Sequence, residues 1–233
     1  MRVYPVVHIN TPDVAFEQGA AALEAGADGV YLIDHLSANP EGTFSTFNRL
    51  VQERPEAFVG MNLLGYEPSF ALHAMRRAVA SSKLSREPDA LWTDDILEGR
   101  AASRTGEAKR YRDRYEMKTR ILGGVAFKYT STYTDVPKTA ARLASFLEPY
   151  VDTVTTSGHG TGKAPSYEKI SAMKAVIKGD LAVASGIDVE NISRYHGTVD
   201  EILAASSIET ESYSGIFDQS KLHDLIEAAH DLA

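Results

Sequence analysis

The chain of 233 residues contains no cysteine. Disulfides, thiolate nucleophiles and cysteine metal sites are therefore excluded, while the compartment stays open. There is no apolar run of about 18 residues, so no membrane insertion is expected. There is no excess of basic residues. The formal net charge is −8, and a nucleic-acid partner would need a basic face. The opening stretch, MRVYPVVHIN, is too short and too strand-like for a signal peptide, which makes a cytoplasmic protein the default expectation. No G-x-G-x-x-G follows the first strand-like run, which speaks against a dinucleotide fold. No linker or low-complexity segment interrupts the chain, so one domain over residues 1–233 is expected.

What is present is alternation. Eight β-branched runs occur at 3–10, 29–35, 58–64, 90–95, 121–129, 151–158, 181–187 and 201–208. Their average spacing, roughly 29 residues, is that of a βα unit. Amphipathic helical stretches fill the gaps. The clearest begins with Thr11 as N-cap and Pro12 at the first helical position, and ends before Gly26. The helix after the seventh strand, 189–195, is short. Eight such units predict an α/β protein, a compact (β/α)8 TIM barrel, with a doubly wound open sheet as the alternative.

In a (β/α)8 barrel the active site lies at the C-terminal ends of the strands. Those ends supply His8, Asp34, His35, Asn62, Asp94, Asp95, Lys128, Ser157, Ser185, Gly186, Ser206, Ser207 and Glu209. Alternation along a strand sorts them by face. On the fifth strand Gly124, Ala126 and Lys128 share one face, which we read as inward, while Val125, Phe127 and Tyr129 share the other. Asn62 goes inward with Gly60, His8 goes with Val6, and Asp34 goes with Leu32. Asp34 and His35 are adjacent, so at most one enters the pocket. Whether Asp94 or Asp95 faces inward stays open. A strand-end aspartate can also simply cap a helix or hold a turn. Lys128 stands out, because a lysine aimed into a barrel mouth is costly unless it meets a carboxylate or an anionic ligand.

The stretch TTSGHGTGKAP, 155–165, resembles a P-loop at first sight. Walker A requires G-x-x-x-x-G-K-[ST]. Here Ser157 stands where the first glycine should be and Ala164 where the hydroxyl should be, so the motif fails at both ends. Its position after the sixth strand suggests another role. The loops after strands seven and eight of such barrels often make a phosphate site from backbone N–H groups. The expected anion-binding set is therefore Ser157, Gly158, Gly160, Thr161, Gly162 and Lys163 from this loop, then Ser185, Gly186, Ser206 and Ser207. Asn62 joins as a substrate-binding residue. The candidate catalytic residues are Lys128, Asp94, His8, Asp34 and His159.

The chain resembles the BtpA/SgcQ-like family of (β/α)8-barrel proteins. The likeness is carried by VVHI, AAALEAGADGVYLID, GMNLL, ILEGRA, KRYRDRYE, GVAFKYT, TSGHGTGKAPSYEKI, VASGIDVENI and AASSI, in that order. The resemblance implies a barrel and carries over positions, not roles, onto His8, Asn62, Lys128, the 157–163 loop, Ser185–Gly186 and Ser206–Ser207. It implies no agreed reaction. BtpA itself is known as a factor for photosystem I accumulation, and SgcQ-like members are described as nucleosidase-like or sugar-metabolism enzymes. The second strand ends Asp34-His35 where Glu-Asn is usual, and the fourth carries Asp94-Asp95.

Two functions follow as expectations. One is an enzyme (lyase, isomerase or glycosidic-bond hydrolase) acting on a small phosphorylated molecule such as a phosphosugar or nucleotide-derived compound. The other is a non-catalytic assembly or regulatory factor on the same barrel. No cofactor signature is evident. Magnesium could be held by Asp34, Asp94 and Asp95 through carboxylates and water, though no spacing motif supports it. Homo-oligomerisation is left open.

Overall fold

The computed structural model describes residues 1–37, 39–97, 104–211 and 214–232. Residues 98–101 of the ILEGRA segment lie outside the described residues.

Each β-branched run becomes a strand, and the pleat divides it between two cores. The first strand, β1 (Arg2–His8), turns Tyr4, Val6 and His8 inward and packs Val3 and Val7 outward. The second, β2 (Val30–Ile33), sends Tyr31 and Ile33 in and Val30 and Leu32 out. The same division runs through β3 (Val59–Asn62), β4 (Ala90–Thr93), β5 (Arg120–Gly124), β6 (Thr153–Thr156), β7 (Asp180–Ala184) and β8 (Glu201–Ala204). Inward residues form one apolar cluster inside the ring, including Trp92, Leu122, Phe127, Ala182 and Leu203. Outward residues form a larger cluster beneath the helices. Two concentric cores are what period-two alternation produces when a parallel sheet closes.

All eight strands pair in sequence order and in parallel, and the ring is a closed barrel. Closure runs between β1 and β8, from Arg2 opposite Glu201 to Pro5 opposite Ala204. The expected (β/α)8 architecture is therefore present, with one economy. Between β7 and β8 the helix is reduced to a 3-10 turn over Ile192–Tyr195.

Seven α-helices cover the barrel among the described residues. In α1 (Pro12–Glu24) the Thr11 hydroxyl accepts from the Val14 amide at 3.3 Å, and Gly26 follows the end with φ of +93°. The next helix, α2 (Glu41–Glu53), has no side-chain cap, and it buries Phe44, Phe47, Leu50 and Val51. Then come α3 (Pro68–Ala80), α4 (Glu107–Arg114), α5 (Pro137–Leu147), α6 (Tyr167–Lys174) and α7 (Gln219–Asp231). Ser166 caps α6 and Asp218 caps α7. No helix among the described residues is long and apolar enough to cross a membrane.

The N-terminal end of the barrel is closed by charge. The Glu201 side chain is fully buried, and its Oε1 accepts from Arg2 and Arg120, each at 2.8 Å. Arg2 also meets Asp180, and Arg120 donates to the Thr153 hydroxyl at 2.8 Å. Five strands, β1, β5, β6, β7 and β8, are thereby tied at the floor, and the opposite end is left for the site.

Candidate functional site

The C-terminal mouth holds a chamber of about 320 Å³. Its rim is built from His8 at the end of β1, His35 after β2, Asp94 after β4, Lys128 and Tyr129 after β5, and Thr161 with Gly162 after β6. Ser185 and Gly186 after β7 and Ser206 after β8 complete it. Its floor is the top of the inner apolar cluster.

Lys128 reaches this mouth by a route that alternation does not describe. Strand β5 stops at Gly124, and Ala126 takes a left-handed conformation with φ of +48°. That turn sends Ala126 into the outer core and Phe127 into the inner one. The expected inward set of Gly124, Ala126 and Lys128 is thus corrected at Ala126, because the pleat ends before it. The turn is held by Lys169 of α6, a fully buried lysine whose ammonium donates to the carbonyls of Ala126 at 2.9 Å and Ser157 at 2.8 Å. Burial pushes the Lys169 pKa down to about 8, against the opposing pull of Asp135. Nothing in the helical pattern around Lys169 signals this role.

The Lys128 ammonium donates to the hydroxyls of Ser185 and, at 3.4 Å, Thr161. No carboxylate among the described residues lies within 4.0 Å of it. Burial lowers its pKa, and Asp94 and Tyr129 counter part of that. Asp94 sits across the mouth. Its pKa is pushed up to about 6, mainly by burial, with Lys128 and a hydrogen bond from Asn62 holding it down. It comes this far inward because β5 ends in Gly124: a Cβ there would lie 1.9 Å from the Asp94 carbonyl oxygen. Asp94, not Asp95, therefore faces the chamber. Asp95 accepts from the Leu97 amide at 2.9 Å and holds the loop.

His8 and His35 stand together, ring centroids 5.1 Å apart. His8 Nδ1 lies 2.8 Å from Oε1 of Glu209, a buried carboxylate that also accepts from the Gly215 amide at 3.2 Å. A carboxylate behind one ring nitrogen fixes an imidazole's orientation. Burial lowers the His35 pKa, with His8 and Lys128 adding to it. The loops after β6 and β7 meet at Gly186, where φ is +73° and a Cβ would fall 2.1 Å from the Ala164 nitrogen. The neighbouring Ser185 has φ of +99°, a conformation costly for a non-glycine residue and frequent at functional sites.

The chamber therefore gathers His8, Asp94, Lys128, Thr161, Gly162, Ser185, Gly186 and Ser206 from the expected set. Other expected residues do not line it. Asp34 shares the outward face of Leu32, and its carboxylate accepts from the amides of Leu36 at 2.8 Å and Ser37 at 3.0 Å; it holds a turn. His35 takes the inward place. Asn62 stands behind the mouth and donates to Asp94 at 3.1 Å, so it orients that carboxylate. Ser157 is fully buried, accepting from the Lys128 amide at 2.8 Å. Gly158 backs onto the Lys163 carbonyl. His159 and Lys163 are exposed outside the chamber, where the Lys163 amide closes a turn onto Gly160. Gly160 and Ser207 also stay off its wall. The magnesium set does not assemble, since among the described residues Asp34, Asp94 and Asp95 do not bring ligand atoms within 4.8 Å of one another. The strand ends offer His35, which stands at the rim, and Glu209, which stands behind His8, without a role for either; Trp92 below is given none by the sequence, and Phe127 and Tyr129, expected outward, line the chamber.

The family profile described as the BtpA family matches residues 12–231. The chain belongs to the BtpA family. No curated protein matches it in sequence. Among solved structures, thiamine phosphate pyrophosphorylase from Pyrococcus furiosus is similar at 13% identity with a TM-score of 0.66, covering 99% of this chain and 96% of that one. (S)-3-O-geranylgeranylglyceryl phosphate synthase from Thermoplasma acidophilum, in complex with sn-glycerol-1-phosphate, gives 14% and 0.67, with 97% and 92% covered. Phosphoribosylanthranilate isomerase from Thermotoga maritima gives 17% and 0.65, with 99% of each chain covered. At such identities the likeness speaks for the barrel fold alone.

Proposed function

We propose that this BtpA-family barrel is an enzyme acting on a small phosphorylated metabolite. The observation that carries this reading is the Lys128 ammonium. It stands in the mouth among neutral hydroxyls, with no carboxylate in salt-bridge contact. A half-buried cation in this setting is stabilised by an incoming anion. Ser185, Thr161 and the backbone at Gly162 and Gly186 stand beside it as further donors. The names of the similar barrels, three of which contain a phosphate, agree with that reading.

Across the mouth, Asp94 and His8 are placed for proton transfer to and from the remainder of the substrate. A carboxyl with a pKa of about 6 exchanges protons near neutral pH. The lowered pKa of Lys128 also suits an amine nucleophile, which makes a Schiff base with a carbonyl substrate one version of the chemistry. Calorimetry with inorganic phosphate and sugar phosphates tests the core of the proposal. Binding should occur and be lost in Lys128→Ala; absence of binding by the wild type refutes it. Borohydride trapping with ketose phosphates separates the versions, because only the Schiff-base route labels Lys128.

A second reading, the assembly factor implied by the family resemblance, is favoured by one surface. Between α3 and α4 lies an open groove of about 570 Å³ with Phe70 and Tyr115 exposed beside Arg110 and Arg114. This reading gains if Lys128→Ala is silent in cells while Phe70→Asp or Tyr115→Asp is not.

A further inference from the structure

The chamber has two unlike halves. Its rim is polar and carries Lys128, Asp94 and the two histidines. Below the rim the walls are Val6, Ile33, Trp92, Phe127 and Leu203, all members of the inner apolar cluster. Ala184 and Ala205 contribute only small side chains to the wall. A molecule hydroxylated along its whole length would leave hydroxyls without partners against these walls, which is unfavourable.

One polar group just behind this surface, the indole N–H of Trp92, is buried and has no acceptor among the described residues. Buried donors are nearly always satisfied, so an unpaired one in a cavity wall points to a ligand atom. The ring itself meets Phe127 and Tyr31 edge-on, at centroid distances of 6.2 and 6.1 Å. An aromatic ring beside Trp92 can add an offset or edge-to-face contact of the same kind.

We infer that the ligand is two-ended: a planar, largely apolar ring bearing a hydrogen-bond acceptor, joined to an anionic group. The ring enters the chamber beside Trp92 and Phe127, and its acceptor takes the indole N–H. The anion stays at the rim on Lys128. The anionic half rests on the phosphate reading above; the ring half stands on the floor of the chamber alone.

Trp92 is the only tryptophan in the chain, so intrinsic fluorescence reports directly on this chamber. The intact protein is titrated with phenyl phosphate, ribose 5-phosphate, inorganic phosphate and benzamide, the last a neutral ring with a carbonyl acceptor. Phenyl phosphate should bind at least about tenfold more tightly than the other two phosphates, from the apolar area it buries, and it should shift the Trp92 emission. Benzamide should shift the same emission in Lys128→Ala as in the wild type. Filling the chamber with Ala184→Leu, or with Ala205→Val if the first variant folds poorly, should abolish the preference for the ring. If ribose 5-phosphate binds as tightly as phenyl phosphate and benzamide leaves Trp92 unmoved, the ring inference is overturned while the phosphate reading stands. If benzamide moves Trp92 but no phosphate binds, the ring is upheld and the phosphate reading fails.

Discussion

Replacing Asp94 with asparagine should make the protein more stable and less able to work. The carboxyl is pushed from its ordinary value of 3.8 up to about 6, chiefly by burial. Between those two values the folded chain takes up a proton that the unfolded chain does not. Stability therefore falls as pH rises from about 4 to about 6, and it stays lower above that. The rise corresponds to about 3 kcal/mol at neutral pH. Some solvent reaches the side chain, so a net gain of about 1–3 kcal/mol is the reasonable expectation for the neutral amide. Asparagine keeps the oxygen that accepts from Asn62 at 3.1 Å, and the volume hardly changes. Urea unfolding of wild type and Asp94→Asn should show the gain at pH 7.5 and about 1 kcal/mol or less at pH 4.5, with the m value unchanged. A gain equal at both pH values would mean that packing, not charge, separates the two proteins. A loss at pH 7.5 would mean that attraction to Lys128 outweighs burial, which would refute the reasoning. A residue that costs stability while facing a cavity is the usual mark of selection for function.

Three other outcomes follow from the same geometry. Lys169, with its pKa lowered to about 8 by burial, is stabilised by losing its proton in the folded state first, so the wild type should gain about 2 kcal/mol over Lys169→Met between pH 7.5 and pH 10, measured by denaturant titration. Gly186→Ala places a Cβ 2.1 Å from a backbone nitrogen at φ of +73°; it should lower stability by about 2 kcal/mol or more and weaken phosphate binding, read by thermal shift and calorimetry. Glu201→Gln leaves Arg2 and Arg120 facing each other at the floor without their buried carboxylate, and the cost should be about 3 kcal/mol, seen as a fall in Tm of several degrees with phosphate affinity retained.

The eight strands and their order were legible because a parallel barrel buries both strand faces, and the β-branched runs recorded that directly. Helix α2 was less legible. Its Phe44, Phe47, Leu50 and Val51 follow helical spacing, but Thr, Phe, Asn and Val are weak helix formers, and no capping side chain marks its start. Strand ends were the weak point for the site. Alternation grouped His8 with Val6 and Asp94 with Trp92, and both pairs face in, but it left open which of Asp94 and Asp95 does so. It failed past Gly124, where a left-handed alanine carries no sequence signal and exchanges the faces of Ala126 and Phe127. The glycine-rich loop was sound as a wall but not residue by residue. Its charged members, His159 and Lys163, were expected at the anion and lie outside, while its small ones, Thr161 and Gly162, face in. Ser157 and Asp34 looked like ligands because they are polar and near the mouth, yet each is used up by backbone amides. Partnering of that kind depends on three-dimensional neighbours, and so does the burial of Lys169 and Glu209.

The pairing that closes the barrel has a consequence for synthesis. Strand β1 finds its second neighbour only in β8, almost the whole chain away. While the polypeptide emerges from the ribosome, the growing sheet is open along that edge, with the backbone of Arg2–Pro5 unpaired until Glu201–Ala204 arrive. Such an edge is a template for wrong pairing. The charges at the same register, Arg2 on one margin and Glu201 on the other, act as a latch: an exposed arginine keeps the waiting edge solvated, and the late carboxylate is buried only when the correct last strand docks.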